Sequence, residues 1–301
     1  MKAIVTGGAG FIGSHLVDRL VHDGHDVVVI DNLSNGKESN LELSRASIKF
    51  YNSCIHSDDD WKPELDNADW VIHLAALADI VPSIESPKDY YYSNVNGTFE
   101  VINNCNLKVL KKFVYAASAS CYGISTSIPT SESSTKSPEY PYAMTKLMGE
   151  DLAFHWNKVY KLPLISLRFF NVYGPKQIKT GNMATVIGIF EDQFENDKAL
   201  TVVRPGSQSR RFTHIKDTVE ACYFAWKRNN CSHYSISNKK SYTILQVAKM
   251  FGQKIKMLPS RRGERFASAL TSINLSNKVF KLFGKVNLKD YIDNVVKNSK
   301  N

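Results

Sequence analysis

A glycine-rich turn between an apolar run and a helical pattern constrains the fold of this chain more than any other feature. The apolar residues 3–5 come first, and the turn follows as Thr6-Gly7-Gly8-Ala9-Gly10-Phe11-Ile12-Gly13. Apolar residues then recur at helical spacing until Gly24, and a second apolar run ends at Asp31. A strand, a glycine turn, a helix and a strand with an acid at its tip form the arrangement that binds a dinucleotide. We therefore predict an α/β, Rossmann-like, doubly wound parallel sheet.

Each glycine of the turn has a separate physical task. Gly7 allows the tight turn, Gly10 lets backbone N–H groups approach a pyrophosphate, and Gly13 lets the helix pack on the sheet. The positive end of the helix then faces the phosphates. Asp31 is placed to accept hydrogen bonds from the adenosine ribose hydroxyls and to repel a 2′-phosphate, so the predicted cofactor is NAD.

Composition narrows the possible partners. The net charge of +9 raises the question of nucleic acid, but the basic residues are spread out and a nucleotide ligand also requires Lys and Arg, so we expect no nucleic acid partner. The five cysteines have no metal-ligand spacing, which predicts reduced thiols, a cytoplasmic location and no metal site. We find no apolar run of membrane-spanning length and no signal peptide, so no membrane association is expected.

The tips of two further predicted strands carry small or hydroxylated residues. Residues 70–76 predict a buried parallel strand whose small terminal residues would let a flat cofactor lie close to the backbone. His73 within it is interpreted as a packed core histidine rather than a base. Residues 113–117 predict the next strand, with Ser118 and Ser120 at its tip, where ligands bind in such sheets.

Tyr142 and Lys146 form the predicted chemical centre. They follow Pro141, a favourable first-turn residue, and open a long predicted helix towards Tyr160. The spacing of four residues puts the phenol and the ammonium on one helix face. A neighbouring ammonium lowers the pKa of a tyrosine from its reference value near ~10, which makes Tyr142 usable as an acid and base at neutral pH.

Taken together, these motifs resemble the extended short-chain dehydrogenase/reductase family, in its nucleotide-sugar epimerase and dehydratase branch. Further markers are Asp31-Asn32-Leu33-Ser34, His73-Leu74-Ala75-Ala76, Asn94 and Asn171-Val172-Tyr173-Gly174-Pro175, so the resemblance covers nearly the whole chain. It implies that Ser118, Tyr142 and Lys146 are catalytic and that Lys146 also binds the nicotinamide ribose. The cofactor-binding residues that it implies are Gly7, Gly10, Phe11, Ile12, Gly13, Asp31, Asn32, Ser34, Gly36, Ile55, Leu74, Ala75, Ala76, Asn94, Tyr142 and Lys146.

On the substrate side, the resemblance implies two diphosphate-binding arginines, Arg210 and Arg262. The implied substrate-binding residues are Ser118, Ser120, Tyr142, Asn171, Arg210, Arg262 and Ser268. Two positions depart from the family pattern: Arg211 stands where an Asp is usual, and Cys54 stands where many relatives have an Asp near the adenine. The expected dinucleotide-binding domain is 1–174 with 212–236 returning to it. The expected substrate domain, smaller and of mixed α/β structure, is 175–211 with 237–301.

The predicted reaction depends on the strand tip rather than on the fold. Residues 118–123 contain no carboxylate, so the acid/base pair that dehydratases of this branch carry there is missing. What remains favours NAD-dependent 4-epimerisation of a UDP-hexose or UDP-N-acetylhexosamine through a transient 4-keto sugar, in polysaccharide biosynthesis. The alternatives are a nucleotide-sugar reductase or dehydrogenase and a catalytically silent NAD-binding regulator. The resemblance also implies a homodimer that forms through the predicted helices at 89–107 and 142–160.

Overall fold

The computed structural model describes residues 1–123, 132–181, 183–225, 227, 231–260 and 284–299. The described strands are β1 Lys2–Thr6, β2 Asp26–Asp31, β3 Ile48–Asn52, β4 Trp70–His73, β5 Lys112–Ser118, β6 Leu164–Phe169, β7 Val172–Tyr173, β8 Leu200–Val203, β9 Ser209–Arg211, β10 Thr213–His214, β11 Ser232–Ile236, β12 Ser241–Thr243 and β13 Ile255–Leu258. The described α-helices are α1 Phe11–His22, α2 Val81–Glu85, α3 Pro87–Tyr91, α4 Gly97–Asn103, α5 Pro141–Tyr160, α6 Val186–Glu195, α7 Ile215–Ala225, α8 Ile244–Met250 and α9 Leu288–Asn298.

A seven-stranded sheet with the order β11-β6-β5-β4-β1-β2-β3 is the main element of the fold. From β3 to β5 the neighbouring strands pair in parallel. The order 3-2-1-4-5-6 is that of a doubly wound dinucleotide-binding sheet, and its direction of progression reverses between β1 and β4. This confirms the predicted Rossmann-like α/β class. It also puts the carboxyl ends of β1 and β4, where a ligand crevice forms, next to each other.

The chain divides into two compact units. The first comprises Met1–Ser118, Tyr140–Arg168 and Val219–Tyr234, and the second comprises Ala119–Glu139, Phe169–Thr218 and Ser235–Asn301. The first unit has an apolar core under its sheet, which includes Ile4, Val71, Phe113 and Leu164. The second unit has its own core, built around Phe190, Phe212 and Phe251. The functional domains predicted from the sequence have different boundaries, and they stay a prediction.

Strand β4 ends earlier than the sequence predicts. It stops at His73, whereas the prediction extended the strand to Ala76. Its neighbour β1 ends at Thr6 because Gly7 turns the chain away with a φ of +71°. The last backbone hydrogen bond at this end of the β1–β4 pair runs from the Leu74 N–H to the Thr6 carbonyl at 3.1 Å. The next N–H, that of Ala75, donates to the Thr6 hydroxyl at 3.2 Å instead.

The helix predicted over 89–107 is interrupted. It consists of α3, a π-helical turn over Tyr92–Asn96, and α4, which ends at Asn103. The π turn contains Asn94, which is buried. Turns of this kind widen a helix locally and occur often at functional sites. The helical pattern predicted over 89–107 is therefore present up to Asn103, with a π turn at the position of a candidate site residue.

The second unit contains small, two-stranded sheets. β9 pairs with β12 in antiparallel orientation, and β13 pairs with β8 in parallel. All five cysteines are free. None of the helices in the described ranges combines the length and the apolar character needed to cross a bilayer.

Candidate active site

The glycine turn after β1 is packed too closely for side chains. A Cβ atom at Gly7 would lie 2.7 Å from the backbone nitrogen of Ala75, and the residue adopts a φ of +71°. A Cβ atom at Gly13 would overlap the carbonyl oxygen of Gly7, and one at Gly10 would lie 3.2 Å from the same atom. The turn therefore leaves a backbone cradle that any side chain at Gly7 or Gly13 would disrupt.

Helix α1 begins at this turn with its first N–H groups available. Gly10 is the N-cap, and no side chain caps the helix. The first-turn N–H groups of a helix have no partner within the helix, so here Phe11 and Ile12 can present donors to an anion, with the helix dipole in support. The residues of this turn fit the pyrophosphate of a dinucleotide.

Asp31 lies at the carboxyl end of β2 and is held by backbone groups. Its Oδ2 accepts a hydrogen bond from the Ala9 N–H at 2.9 Å, and its Oδ1 accepts one from the Leu33 N–H at 2.8 Å. Burial raises the pKa of Asp31, and the backbone hydrogen bonds oppose that shift. Gly36 lies against this carboxyl, since a Cβ atom there would lie 3.0 Å from Oδ1. A carboxylate has about four lone-pair sites, so Asp31 can still accept a ribose hydroxyl beside these backbone hydrogen bonds.

The other predicted adenosine contacts surround Asp31. Asn32 and Ser34 are exposed on the loop after β2, where the Asn32 side chain accepts from the Ser34 N–H at 3.1 Å. The amide of Asn32 also donates to the Cys54 sulfur at 3.1 Å, so Cys54 takes part in shaping this loop. Ile55 is buried against Gly97, where a Cβ atom would lie 2.5 Å from its Cδ1.

His73 belongs to a buried polar chain and cannot act as a base here. Its Nε2 lies 3.0 Å from the Thr98 hydroxyl, whose proton goes to the Asn94 carbonyl at 2.7 Å. Nε2 must therefore donate, and Nδ1 accepts from the Thr6 hydroxyl at 2.7 Å. Burial lowers the pKa of His73 to about 3. The histidine is neutral and joins β1 to α4, in agreement with its interpretation as a core residue.

Asn94 fastens the loop after β4 to the helix that carries Tyr142. Its Oδ1 accepts from the Leu77 N–H at 2.8 Å, and its Nδ2 donates to the Leu77 carbonyl and to the Thr145 hydroxyl at 3.0 Å each. Both amide protons are therefore used, and the side chain is only 1% exposed. This geometry favours a role in which Asn94 positions the loop of Leu74, Ala75 and Ala76. A direct cofactor contact by Asn94 stays a prediction.

Tyr142 and Lys146 lie one turn apart on α5. Tyr142 is half-buried, and its ring lies 6.3 Å from that of Tyr90 in an edge-on arrangement. Lys146 is only 4% exposed, and its Nζ lies 4.6 Å from the centroid of the Tyr115 ring. Burial lowers the pKa of Lys146 to about 7, and the charge of Glu150 opposes that shift. Ser118 is half-buried at the end of β5.

A buried ion pair next to Lys146 is not evident from the sequence. Glu150 follows Lys146 by one helical turn and pairs with Arg168 through Nη2 at 2.8 Å and through Nε at 3.0 and 3.2 Å. The Ser166 hydroxyl donates to the same carboxylate at 2.6 Å. The available signal was the spacing of four residues that continues from Tyr142 through Lys146 to Glu150. Arg168 and Ser166 lie on a separate strand, so no local sequence pattern predicts their contacts with Glu150.

Ser120, Asn171 and Arg210, which were predicted to bind the substrate but not the cofactor, lie in the second unit. Asn171 has a φ of +38° and donates from Nδ2 to the Arg211 carbonyl at 2.8 Å. Arg210 donates from Nη1 to the Ser209 carbonyl at 3.0 Å. Nε of the neighbouring Arg211 is buried with no partner in the described ranges, and burial lowers the pKa of this arginine. Ser120 is buried.

Two of the predicted substrate residues, Arg262 and Ser268, lie outside the described residues. Their roles therefore rest on the sequence alone. Within the described part of the chain, no group of three or more His, Cys, Asp or Glu side chains is arranged to hold a metal ion.

Comparisons with known proteins agree with this geometry. A sequence model of the NAD dependent epimerase/dehydratase family matches residues 3–238. A UDP-glucose 4-epimerase of Mycolicibacterium smegmatis is 35% identical over 230 residues, which cover 73% of this chain and 72% of that protein. The solved UDP-N-acetylglucosamine 4-epimerase of Methanobrevibacter ruminantium superposes with a TM-score of 0.91 at 30% identity, over 98% of this chain and 97% of that one. A UDP-glucuronic acid 4-epimerase of Bacillus cereus, solved with UDP-glucuronic acid and NAD, gives a TM-score of 0.88 at 29% identity, over 100% and 99%.

Proposed function

We propose that the chain, which belongs to the NAD-dependent epimerase/dehydratase family, is an isomerase that inverts C4 of a UDP-sugar. The solved relatives described above bear 4-epimerase names, and each aligns over nearly the full chain. The observation that carries the proposal is the tip of β5. Residues 118–123 include hydroxyls but no carboxylate, while Tyr142 and Lys146 stand one turn apart on α5. A proton carrier is therefore available, and the extra acid/base pair of a dehydratase is not.

NAD fits the residues of the first unit. The backbone cradle of Gly7, Gly10 and Gly13 would hold the pyrophosphate, and Asp31 would hold the adenosine ribose. Lys146 would hold the nicotinamide ribose. When bound, NAD supplies the acceptor for the C4 hydride and the donor that returns it to the opposite face of the sugar.

The residues of the chain then manage the proton. Tyr142, aided by the Ser118 hydroxyl, removes the proton of the sugar 4-hydroxyl as the C4 carbonyl forms, and later returns it. The Lys146 ammonium favours the phenolate form of Tyr142 by its charge. The 4-keto sugar turns over between the two steps while its nucleotide stays bound.

On the substrate side, we assign the diphosphate to Arg210 together with Arg262. Two guanidinium groups from different loops suit phosphate oxygens because each can donate two parallel hydrogen bonds. Asn171 and Ser120 complete the proposed substrate contacts.

The direct test is incubation of the purified protein with UDP-Glc, UDP-Gal, UDP-GlcNAc, UDP-GalNAc and UDP-GlcA, with C4 epimers detected by NMR. We expect epimers without release of reduced nicotinamide. Tyr142→Phe keeps the ring but removes the proton carrier, so its turnover should fall by at least ~10²-fold while NAD binding survives. Net oxidation or reduction of the sugar would identify a dehydrogenase or reductase instead, and NAD binding without any conversion would identify a regulator.

For the sugar, we propose that Ser268 borders the C2 substituent and that the enzyme accepts N-acetylhexosamines. A small residue there leaves room for the N-acetyl group, whereas a large one leaves room for a hydroxyl only. Ser268→Tyr should therefore reduce activity on UDP-GlcNAc and UDP-GalNAc and largely spare UDP-Glc and UDP-Gal. Equal loss on both pairs of substrates would show that Ser268 does not select the sugar.

We also propose that the enzyme is a cytoplasmic homodimer. The free state of all five cysteines is in keeping with a reducing compartment. For the dimer, the support is an exposed apolar face on α3, the π turn, α4 and α5. Its most exposed members are Tyr91, Tyr92, Phe99, Met144, Val159 and Tyr160, each between 38% and 54% exposed. Apolar residues gathered on neighbouring helices are typical of a protein interface.

A further inference from the structure

The ammonium group of Lys146 is buried next to an aromatic ring. The residue is only 4% exposed, and its Nζ lies 4.6 Å from the centroid of the Tyr115 ring. Burial disfavours the charged form of a lysine, and an aromatic face can attract a cation at this distance. The ring of Tyr115 is therefore a group of the protein that can stabilise the charge of Lys146.

Tyr115 also binds the backbone of Lys146. Its hydroxyl donates to the Lys146 carbonyl at 3.1 Å, and its side chain is completely buried on β5. Gly149, in the next turn of α5, makes room for this contact, because a Cβ atom there would overlap the Tyr115 hydroxyl. Glycine is unfavourable inside a helix, so its presence in α5 is consistent with a requirement for that space.

We propose that Tyr115 is a positioning residue for Lys146. Its ring favours the ammonium form against the effect of burial, at the place from which the lysine can serve Tyr142 and a nicotinamide ribose. Its hydroxyl fixes the turn of α5 that carries the lysine. The inference rests on the proposed function for the role of Lys146, but the contacts themselves do not depend on it.

Other groups act on the charge of Lys146 and must be separated from Tyr115. These are His73 on β4, Tyr142 and Glu150 on α5, and Arg168 on β6, which pairs with Glu150. His73 is neutral near pH 7 because burial lowers its pKa to about 3. The attraction from Glu150 is divided between Lys146 and the fully buried Arg168. A test must therefore change the ring of Tyr115 and leave the buried ion pair intact.

Three variants separate the ring from the hydroxyl and from packing. Tyr115→Phe keeps the ring, and Tyr115→Leu removes it. Phe113→Leu is the matched control, because Phe113 lies two residues before Tyr115 on the same face of β5, is equally buried and, like Tyr115, packs against the His73 ring. The readouts are the pKa of Lys146, from the NMR shift of [¹³Cε]lysine, the affinity for NAD, and the pH profile of turnover.

We expect Tyr115→Leu to lower the proton affinity of Lys146 and the affinity for NAD by about tenfold each, with a matching acidic shift of the pH profile. Tyr115→Phe should change the proton affinity of Lys146 by less than about threefold, and Phe113→Leu should leave it unchanged. Equal effects of Tyr115→Leu and Phe113→Leu on the lysine pKa would overturn the proposal. So would a lysine pKa that is the same in Tyr115→Phe and Tyr115→Leu.

A second measurement decides the question if Tyr115→Leu does not fold. Phenylalanines with one, two and three fluorine atoms, incorporated at position 115, keep the shape of the ring and weaken its negative face. The pKa of Lys146 should fall step by step along this series. A flat series would refute the role of the ring. If the wild-type protein shows no epimerase activity, the proposed function fails, while the lysine pKa and the NAD affinity still decide the role of Tyr115.

Discussion

At the level of single residues, Lys146 shows how burial and charge oppose each other in this site. Burial lowers its pKa to about 7, although Glu150 and the ring of Tyr115 both favour the ammonium. At pH 8, the side chain on its own is therefore mostly neutral. The ribose hydroxyls of a bound dinucleotide would add hydrogen-bond acceptors, which favour the charged form. Cofactor binding and protonation of Lys146 should therefore be linked.

We predict that binding of NAD at pH 8 takes up a proton. Calorimetric titrations of cofactor-stripped protein in buffers of different ionisation enthalpy give the number of protons directly, and we expect up to about one. Lys146→Met should abolish the uptake, even though it weakens binding. Proton uptake of zero in the wild type would contradict the link.

The lowered pKa of Lys146 also predicts that the free energy of unfolding of the cofactor-stripped protein rises with pH above about 7. In that range the unfolded lysine, with a pKa of 10.5, binds more protons than the folded one.

Asp31 determines the predicted choice of cofactor. Its carboxyl is fixed by two backbone N–H groups, so it cannot easily turn away from a 2′-phosphate. We expect NAD to bind at least about tenfold more tightly than NADP, which corresponds to about 1.4 kcal/mol. Asp31→Asn should reduce this preference, and Asp26→Asn, at the exposed start of the same strand, should preserve it. Calorimetric affinities that are equal for the two cofactors in the wild type would contradict the assignment.

At the level of elements, helix α5 carries both the proposed proton carrier, Tyr142, and the residues that hold this helix against the sheet. Tyr142, Lys146 and Glu150 follow one another at intervals of one turn, and the last of them pairs with Arg168 on β6. Thr145, between them, accepts from Asn94 and donates to the Tyr142 carbonyl at 3.1 Å. The helix is therefore joined to the sheet and to the π turn by buried polar contacts. Such contacts set its position along its axis, which apolar packing alone does not do.

We predict that Glu150→Gln lowers the free energy of unfolding by about 3 kcal/mol, because the buried Arg168 loses its carboxylate partner. The control is Asp293→Asn, which breaks an exposed pair with Lys289 and should cost less than about 1 kcal/mol. Denaturant unfolding of both variants gives the two values. Similar costs for the two variants would mean that the buried pair does not stabilise the position of α5.

At the level of the whole molecule, the predicted chemistry is distributed over both compact units. The glycine cradle, Asp31, Ser118, Tyr142 and Lys146 belong to the first unit, and the arginine proposed for the diphosphate belongs to the second. The apolar face proposed for dimer formation lies on the first unit alone. Within that face, Phe99 of α4 contacts Trp156 of α5 edge to face, with ring centroids 5.7 Å apart.

We predict that the protein sediments at twice its chain mass of 33.9 kDa. Replacing Tyr91 and Tyr160 together by Glu puts two charges on the apolar face and should shift the mass towards that of a single chain. Leu43→Glu is the control, because Leu43 is 85% exposed and lies outside this face. A wild-type monomer, or equal dissociation of both variants, would contradict the proposed interface.

The sequence alone determined the features that depend on local spacing. The glycine turn with Asp31 predicted the doubly wound sheet, and the interval between Tyr142 and Lys146 placed both on one helix face, because periodicity and backbone freedom are local properties. The tertiary structure alone decided the burial of Lys146 against Tyr115, the pairing of Glu150 with Arg168, and the hold of Asn94 on Leu77. Those contacts join residues from separate elements. They depend on strand order and on the π turn, which no local pattern in the sequence specifies.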